Sequence, residues 1–130
     1  MNHELLLASL CHSGHLRPLA DEHYRRQEQQ SLLRLLANPR RTFLQDYDVL
    51  FRYVSLWLLA RGYVLSNHQP HQVLSRVCGQ LAPPALVQQV VSSRHAIKYD
   101  GRPPTPAAVA SLSQLTAQLQ AAVGTGPIGR

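Results

Sequence analysis

The stretch TFLQDYDVLFRYVSLWLLARG, residues 42–62, decides the fold. Phe43, Tyr47, Leu50, Phe51, Val54 and Leu58 recur at steps of three and four, which lines them up on one face of a helix. Tyr53, Trp57 and Ala60 form a neighbouring stripe, so the apolar face is wider than a single packing contact requires. Four of the seven Phe and Tyr residues and the single Trp fall in this stretch. Thr42, with Gln45 three residues on, has the spacing of a capping box, and Gly62 suits a C-terminal cap. The pattern predicts a central helix packed against more than one partner, with Tyr53 and Trp57 near the middle of the core.

The segments on either side read as further helices. Upstream, Leu5, Leu6, Leu7 and Leu10 mark a short helix over about 2–12, ended by Gly14 and Pro18. A second helix is expected from about Pro18 to Ala37, with Asp21 and Glu22 at its start and an apolar face made of Leu32, Leu33, Leu35 and Leu36. Asn38-Pro39 ends it. Downstream, a short helix is expected over about 69–79, and Pro83-Pro84 opens a longer one that Asp100-Gly101 breaks. The last helix follows a cap at Thr105 and runs over about 106–122 through Ala108, Leu112, Leu115 and Leu119. No stretch alternates apolar and polar residues as a half-buried strand does, so essentially no sheet is expected. The reading is all-α: an up-and-down antiparallel bundle of four main helices and one or two short ones, connected by short loops. One domain over 1–123 and a flexible tail over 124–130 complete it.

Composition sets limits on function. At 130 residues the chain holds one domain, too short for a dinucleotide-binding fold joined to a catalytic domain, or for a (β/α)8 barrel. Charged residues are only 15%, and twelve Gln supply much of the polarity. Thirteen basic residues, twelve of them Arg, stand against seven acidic ones, for a net charge of +6. Such a balance permits binding to RNA, DNA or an anionic nucleotide. The two cysteines, Cys11 and Cys78, make neither a disulfide framework nor a thiolate metal knuckle. With no signal-peptide pattern and no apolar run long enough for a membrane, the expected location is the cytoplasm.

One segment resists a pure packing account: RHAIKYDGR, residues 94–102. Cations in a last helical turn are favoured by the helix dipole, which explains some of its charge. Arg94, however, follows Val90 by four residues and so extends the apolar face, where a guanidinium must be paired or open onto a cleft. His95 and Tyr99, four apart, share another face. Arg94, Lys98 and Arg102 are candidate phosphate ligands, His95 a proton carrier, and Tyr99 a hydrogen-bond donor or stacking platform.

The remaining polar residues are less informative. The pairs His12/His15 and His68/His71 have metal-like spacing but no third ligand nearby, and His68 and His71 read better as capping or lining the short helix. Asp46 and Asp48 point to different sides of their helix, and Asp48 is placed to pair with Arg52. No metal site, cofactor motif, phosphate loop, nucleophile elbow or helix-turn-helix reader stands out.

Two stretches carry a family resemblance: YDVLFRYVSLWLLARGYVLSNHQPHQVL, residues 47–74, and SRHAIKYDG, residues 93–101. They resemble the HEPN superfamily, small helical bundles of prokaryotic toxins and nucleotide-handling proteins. The first looks like that family's helix ending in ARGY before a loop with His, and the second like its R-N/H-x-x-x-Y-D helix end. The likeness covers residues 42–122. It implies a homodimer with the two Arg94 segments facing a common cleft. It also implies either a metal-independent ribonuclease with Arg, four to six residues, then His, or a binding module partnered by a small nucleotidyltransferase or an antitoxin. Arg94 matches the arginine, but Tyr99 stands where the histidine is expected. The expected function is therefore a non-catalytic module that binds RNA, a nucleotide or a protein through Arg94, Lys98, Tyr99 and Arg102. The alternatives are a ribonuclease using Arg94, His95 and Tyr99, and a purely structural or interaction protein.

Overall fold

The computed structural model describes residues 3–18 and 21–124. Among them lie α1 (His3–His12), β1 (Leu16–Pro18), α2 (Glu22–Ala37), α3 (Phe43–Ala60), β2 (Tyr63–Leu65), α4 (Pro70–Leu81), α5 (Pro84–Asp100) and α6 (Pro106–Val123). The tail expected from residue 124 lies, beyond Gly124 itself, outside the described residues.

The six helices form an all-α, up-and-down bundle with α3 at its centre, against α2, α4, α5, α6 and β2. The wide apolar face of α3 explains this position. Tyr47, Leu50, Val54, Leu56, Trp57 and Leu58 are all almost fully buried, and Tyr53 is 3% exposed. Truncating one of the buried leucines to Ala costs about 2–5 kcal/mol, because packed neighbours close the resulting hole only in part. The capping box at the start of α3 is complete: the Gln45 amide N–H donates to the Thr42 hydroxyl, and the Thr42 amide donates to the Gln45 side chain at 2.8 Å.

Three expectations need correction. The chain contains a small sheet: β1 pairs antiparallel with β2, Leu16 opposite Leu65 and Pro18 opposite Tyr63. Three residues per strand are too few to show a period of two, and the ribbon is held by its setting, with Leu16 buried in the core. Pro18, having no N–H to give a ladder, sits in this strand, and α2 begins later, with Asp21 accepting from the His23 amide at 2.9 Å. Finally, α2 buries only Leu32 fully, while Leu33 and Leu36 are exposed, so it meets α3 along a narrower stripe than four leucines imply.

The ribbon fixes the α3–α4 connection. Gly62, at φ +87, turns the chain out of α3 in a conformation that disfavours a side chain. The Ser66 amide donates to the His15 carbonyl, and the Ser66 hydroxyl to the Gly14 carbonyl at 2.6 Å. Gln69, the residue before Pro70, is left-handed at φ 48, and its side-chain oxygen lies 3.1 Å from His15 Nε2. Together these contacts set where α4 starts, and so where its second residue, His71, stands.

Candidate functional site

The site forms where α5 crosses α3 and the first turn of α4. Val90 is fully buried, and Arg94, one turn later on the same face, is half-buried. Its guanidinium carbon lies over the Tyr47 ring, 4.9 Å from the centroid. Its Nη2 is 3.2 Å from His71 Nε2, while His71 Nδ1 is 3.3 Å from the Tyr47 hydroxyl. Arginine only donates, so Nε2 accepts and the imidazole proton sits on Nδ1, facing the Tyr47 oxygen. Phe51, one turn along α3 from Tyr47, packs its ring 5.2 Å from that of His71.

The electrostatics favour neutral partners around a cation. His71 is held below its usual range by burial first, then by the Arg94 and Lys98 charges, with Asp48 opposing. Tyr47 is pushed up to about 12, mainly by burial and against the pull of Arg94. Both are therefore uncharged at neutral pH. The ion pairs among the described residues join Arg25 to Glu22, Arg41 to Asp46 and Arg52 to Glu28, and none reaches Arg94. A half-buried guanidinium thus meets a neutral imidazole and the face of a phenol ring, an arrangement that leaves its charge available to an anion.

The other candidates from the helix end are more exposed. His95 and Tyr99 pair with ring centroids 4.7 Å apart, and Tyr99 is 63% exposed. Lys98 is exposed, with Nζ 5.8 Å from the Tyr99 centroid, and its charge is felt at His71. Arg102 lies past the Gly101 turn, its amide donating to the Ala96 carbonyl at 3.2 Å, and its side chain is exposed. The structure therefore joins Arg94 to His71 rather than to His95. His71 and Tyr47 join the site although, in the sequence, His71 reads as capping or lining a short helix and Tyr47 as core. The ARGY-to-His loop was the signal closest to them.

Two other pairings also differ from expectation. Arg52 Nη1 donates to both oxygens of Glu28 on α2, at 3.1 and 2.9 Å, instead of pairing with Asp48, because the facing helix presents a half-buried carboxylate whereas Asp48 is exposed. The histidine pairs are split: His15 stacks on His68 at 4.5 Å, while His71 turns to Arg94. Among the described residues no group of three His, Cys, Asp or Glu is placed to hold a metal ion, and no helix is long and apolar enough to cross a membrane. Cys78 is buried, and its thiol is pushed up to about 12 by that burial, so it stays protonated.

No protein-family model, curated protein or solved structure matches this chain. The HEPN likeness therefore rests on the short motifs of residues 47–74 and 93–101.

Proposed function

We propose that this chain is a non-catalytic, HEPN-like module that holds a phosphodiester of single-stranded RNA on Arg94. The observation that carries the reading is the half-buried Arg94 guanidinium, whose polar partner is a neutral histidine rather than a carboxylate. Lys98, one helical turn further on, adds a second cation, and Arg102 a third beyond the turn. The exposed His95–Tyr99 pair offers a stacking surface for a base beside that phosphate. A homodimer bringing two Arg94 segments to one cleft belongs to the same reading, and light scattering tests it by finding twice 14.5 kDa.

The decisive experiment measures fluorescence anisotropy of a labelled ten-nucleotide single-stranded RNA, without added metal, against wild type and Arg94→Ala. Arg94→Ala is expected to weaken binding about tenfold or more and to lower the salt slope by about one. Equal affinity for both proteins, or no binding by either, overturns the proposal.

A second reading, metal-independent cleavage, is favoured by one observation: α4 brings a histidine to Arg94 although the sequence after Arg94 supplies none where expected. Against it, both His71 ring nitrogens are already engaged, one by Arg94 and one by Tyr47, leaving none free to take a proton from a ribose hydroxyl. Cleavage of the same RNA, lost in both Arg94→Ala and His71→Ala, establishes that reading in place of ours.

A further inference from the structure

On α3, Tyr47, Phe51, Ser55 and Leu59 follow one another at four-residue steps and so form one line along the helix. The Tyr47 end of this line lies beneath Arg94. The other three floor a slot of about 260 Å³, walled by Tyr24 and Glu28 of α2 and by the β2–α4 connection from Val64 to Pro70. Phe51 belongs to both places: its ring packs on His71 and also lines the slot. From Tyr47 to Phe51 the helix rises about 6 Å, a span that a ribose bridges between its phosphate and its base.

The slot has the size and chemistry of a single planar, polar-edged ring system. At about 30 Å³ per water it holds roughly nine heavy atoms, the number in a nucleobase and far fewer than a peptide helix needs. Phe51 and the partly exposed Tyr24 supply ring faces, and Pro70 a flat apolar edge. Ser55 is only 7% exposed and lines the slot, where its hydroxyl can both donate and accept a hydrogen bond. At the rim, the exposed Asn67 offers a carbonyl and an amide together, complementary to the edge of a base. The charge of Glu28 is answered by Arg52, whose Nη1 donates to both of its oxygens, so the wall repels a nearby phosphate less.

We propose that this slot is a nucleobase pocket, which takes the base adjoining the phosphate held by Arg94, with Ser55 and Asn67 reading its polar edge and Phe51 and Tyr24 its faces. The proposal rests on the phosphate-binding reading above and adds the second half of a nucleotide site.

The test compares a ten-nucleotide single-stranded RNA with an abasic phosphodiester of the same length, on wild type, Tyr24→Ala, Asn67→Ala and Arg94→Ala, each checked for folding by circular dichroism. Wild type is expected to bind the RNA about tenfold tighter than the abasic chain, the size of a single base–aromatic stack. Tyr24→Ala and Asn67→Ala should lose most of that preference while keeping the salt slope. Arg94→Ala should weaken both ligands and lower the slope. If wild type binds the two chains equally, or Tyr24→Ala and Asn67→Ala keep the preference, the base pocket is overturned and the phosphate site stands. If a preference for the base-carrying chain persists with an unchanged slope in Arg94→Ala, the pocket is supported and the phosphate reading falls. If wild type binds neither, both are overturned.

Discussion

Arg41 and Arg94 both stand against α3, and they differ in what answers their charge. Arg41 bonds Asp46 at 2.6 Å, and its Nη1 points at the carbonyls of Leu35, Leu36 and Asn38. Those carbonyls close the end of α2, where helical acceptors lack amide partners. Arg41 is thus a tie between α2 and α3, its charge answered on every side. Arg94, half-buried like it, has a neutral imidazole and a ring face. Arg61 makes a third case, laid over the Trp57 ring at 3.9 Å while its Nη1 donates to the Trp57 carbonyl. Burial does not tell Arg41 and Arg94 apart, and the nature of the acceptor does; Arg61 is exposed.

Arg41 and Arg94 are expected to differ most in stability. Arg41→Ala removes the ion pair to Asp46 and the side-chain donor to the Leu36 and Asn38 carbonyls, and is expected to lower the unfolding free energy by about 1–2 kcal/mol. Arg94→Ala removes a cation that no carboxylate needs, and should change stability by less than about 0.5 kcal/mol. Urea denaturation measures both. Equal losses would make Arg94 a structural tie like Arg41. In RNA binding the order is expected to reverse, with Arg94→Ala losing about tenfold and Arg41→Ala, under conditions where it is folded, losing little.

Much of the Arg41 side was legible in the sequence. The capping box of Thr42 and Gln45, the central apolar face, the cap at Thr105 and the break at Asp100-Gly101 are local signals, each read within a few residues, and the helices they imply are present. The Arg94 side was legible only in half. Val90-to-Arg94 spacing placed the guanidinium on the packed face, but its partner lies 23 residues away on a short helix whose orientation depends on the β1–β2 ribbon. That ribbon carries no periodic signature, and with it went the positions of His71 and His15. The same long-range packing gave Arg52 to Glu28 in place of Asp48.

The neutral partner of Arg94 makes the site sensitive to pH. His71 is held below 6.5 by burial, Arg94 and Lys98, against Asp48, while Tyr47 stays protonated throughout. The unfolded chain therefore takes up this proton first as pH falls, so His71 costs stability on going down from 6.5 through its lowered range and costs nothing above it. A phosphate held on Arg94 as proposed would reverse the balance by favouring the imidazolium, in which Nε2 no longer accepts from Arg94 and a positive charge is added. RNA affinity should rise as pH drops below 6.5, by about tenfold for each unit by which the ligand raises His71. Anisotropy titrations on wild type and His71→Gln test this. The variant, which keeps a hydrogen-bonding side chain without the titration, should lose that part of the slope. A slope identical in both proteins would assign the pH dependence elsewhere.

The smallest effects sharpen the electrostatics of the cluster itself. Lys98 and Asp48 are both exposed, and they act on His71 with opposite sign. Lys98→Gln removes a charge that disfavours the imidazolium and should move the His71 titration up by a fraction of a pH unit. Asp48→Asn removes the carboxylate that favours it and should move the titration down. Each shift is small because water and salt screen exposed charges. The His71 ring resonances, followed by NMR across pH, report both shifts directly. Movement in the same direction for the two variants would mean that rearrangement, rather than charge, governs the ring. Lys98→Gln should also weaken RNA binding several-fold at neutral pH, and by less at low pH, where an imidazolium more easily formed replaces part of the lost charge. Asp48→Asn has the reverse profile: a modest gain in affinity at neutral pH, from the removal of a nearby negative charge, that shrinks as the pH falls because His71 then resists protonation.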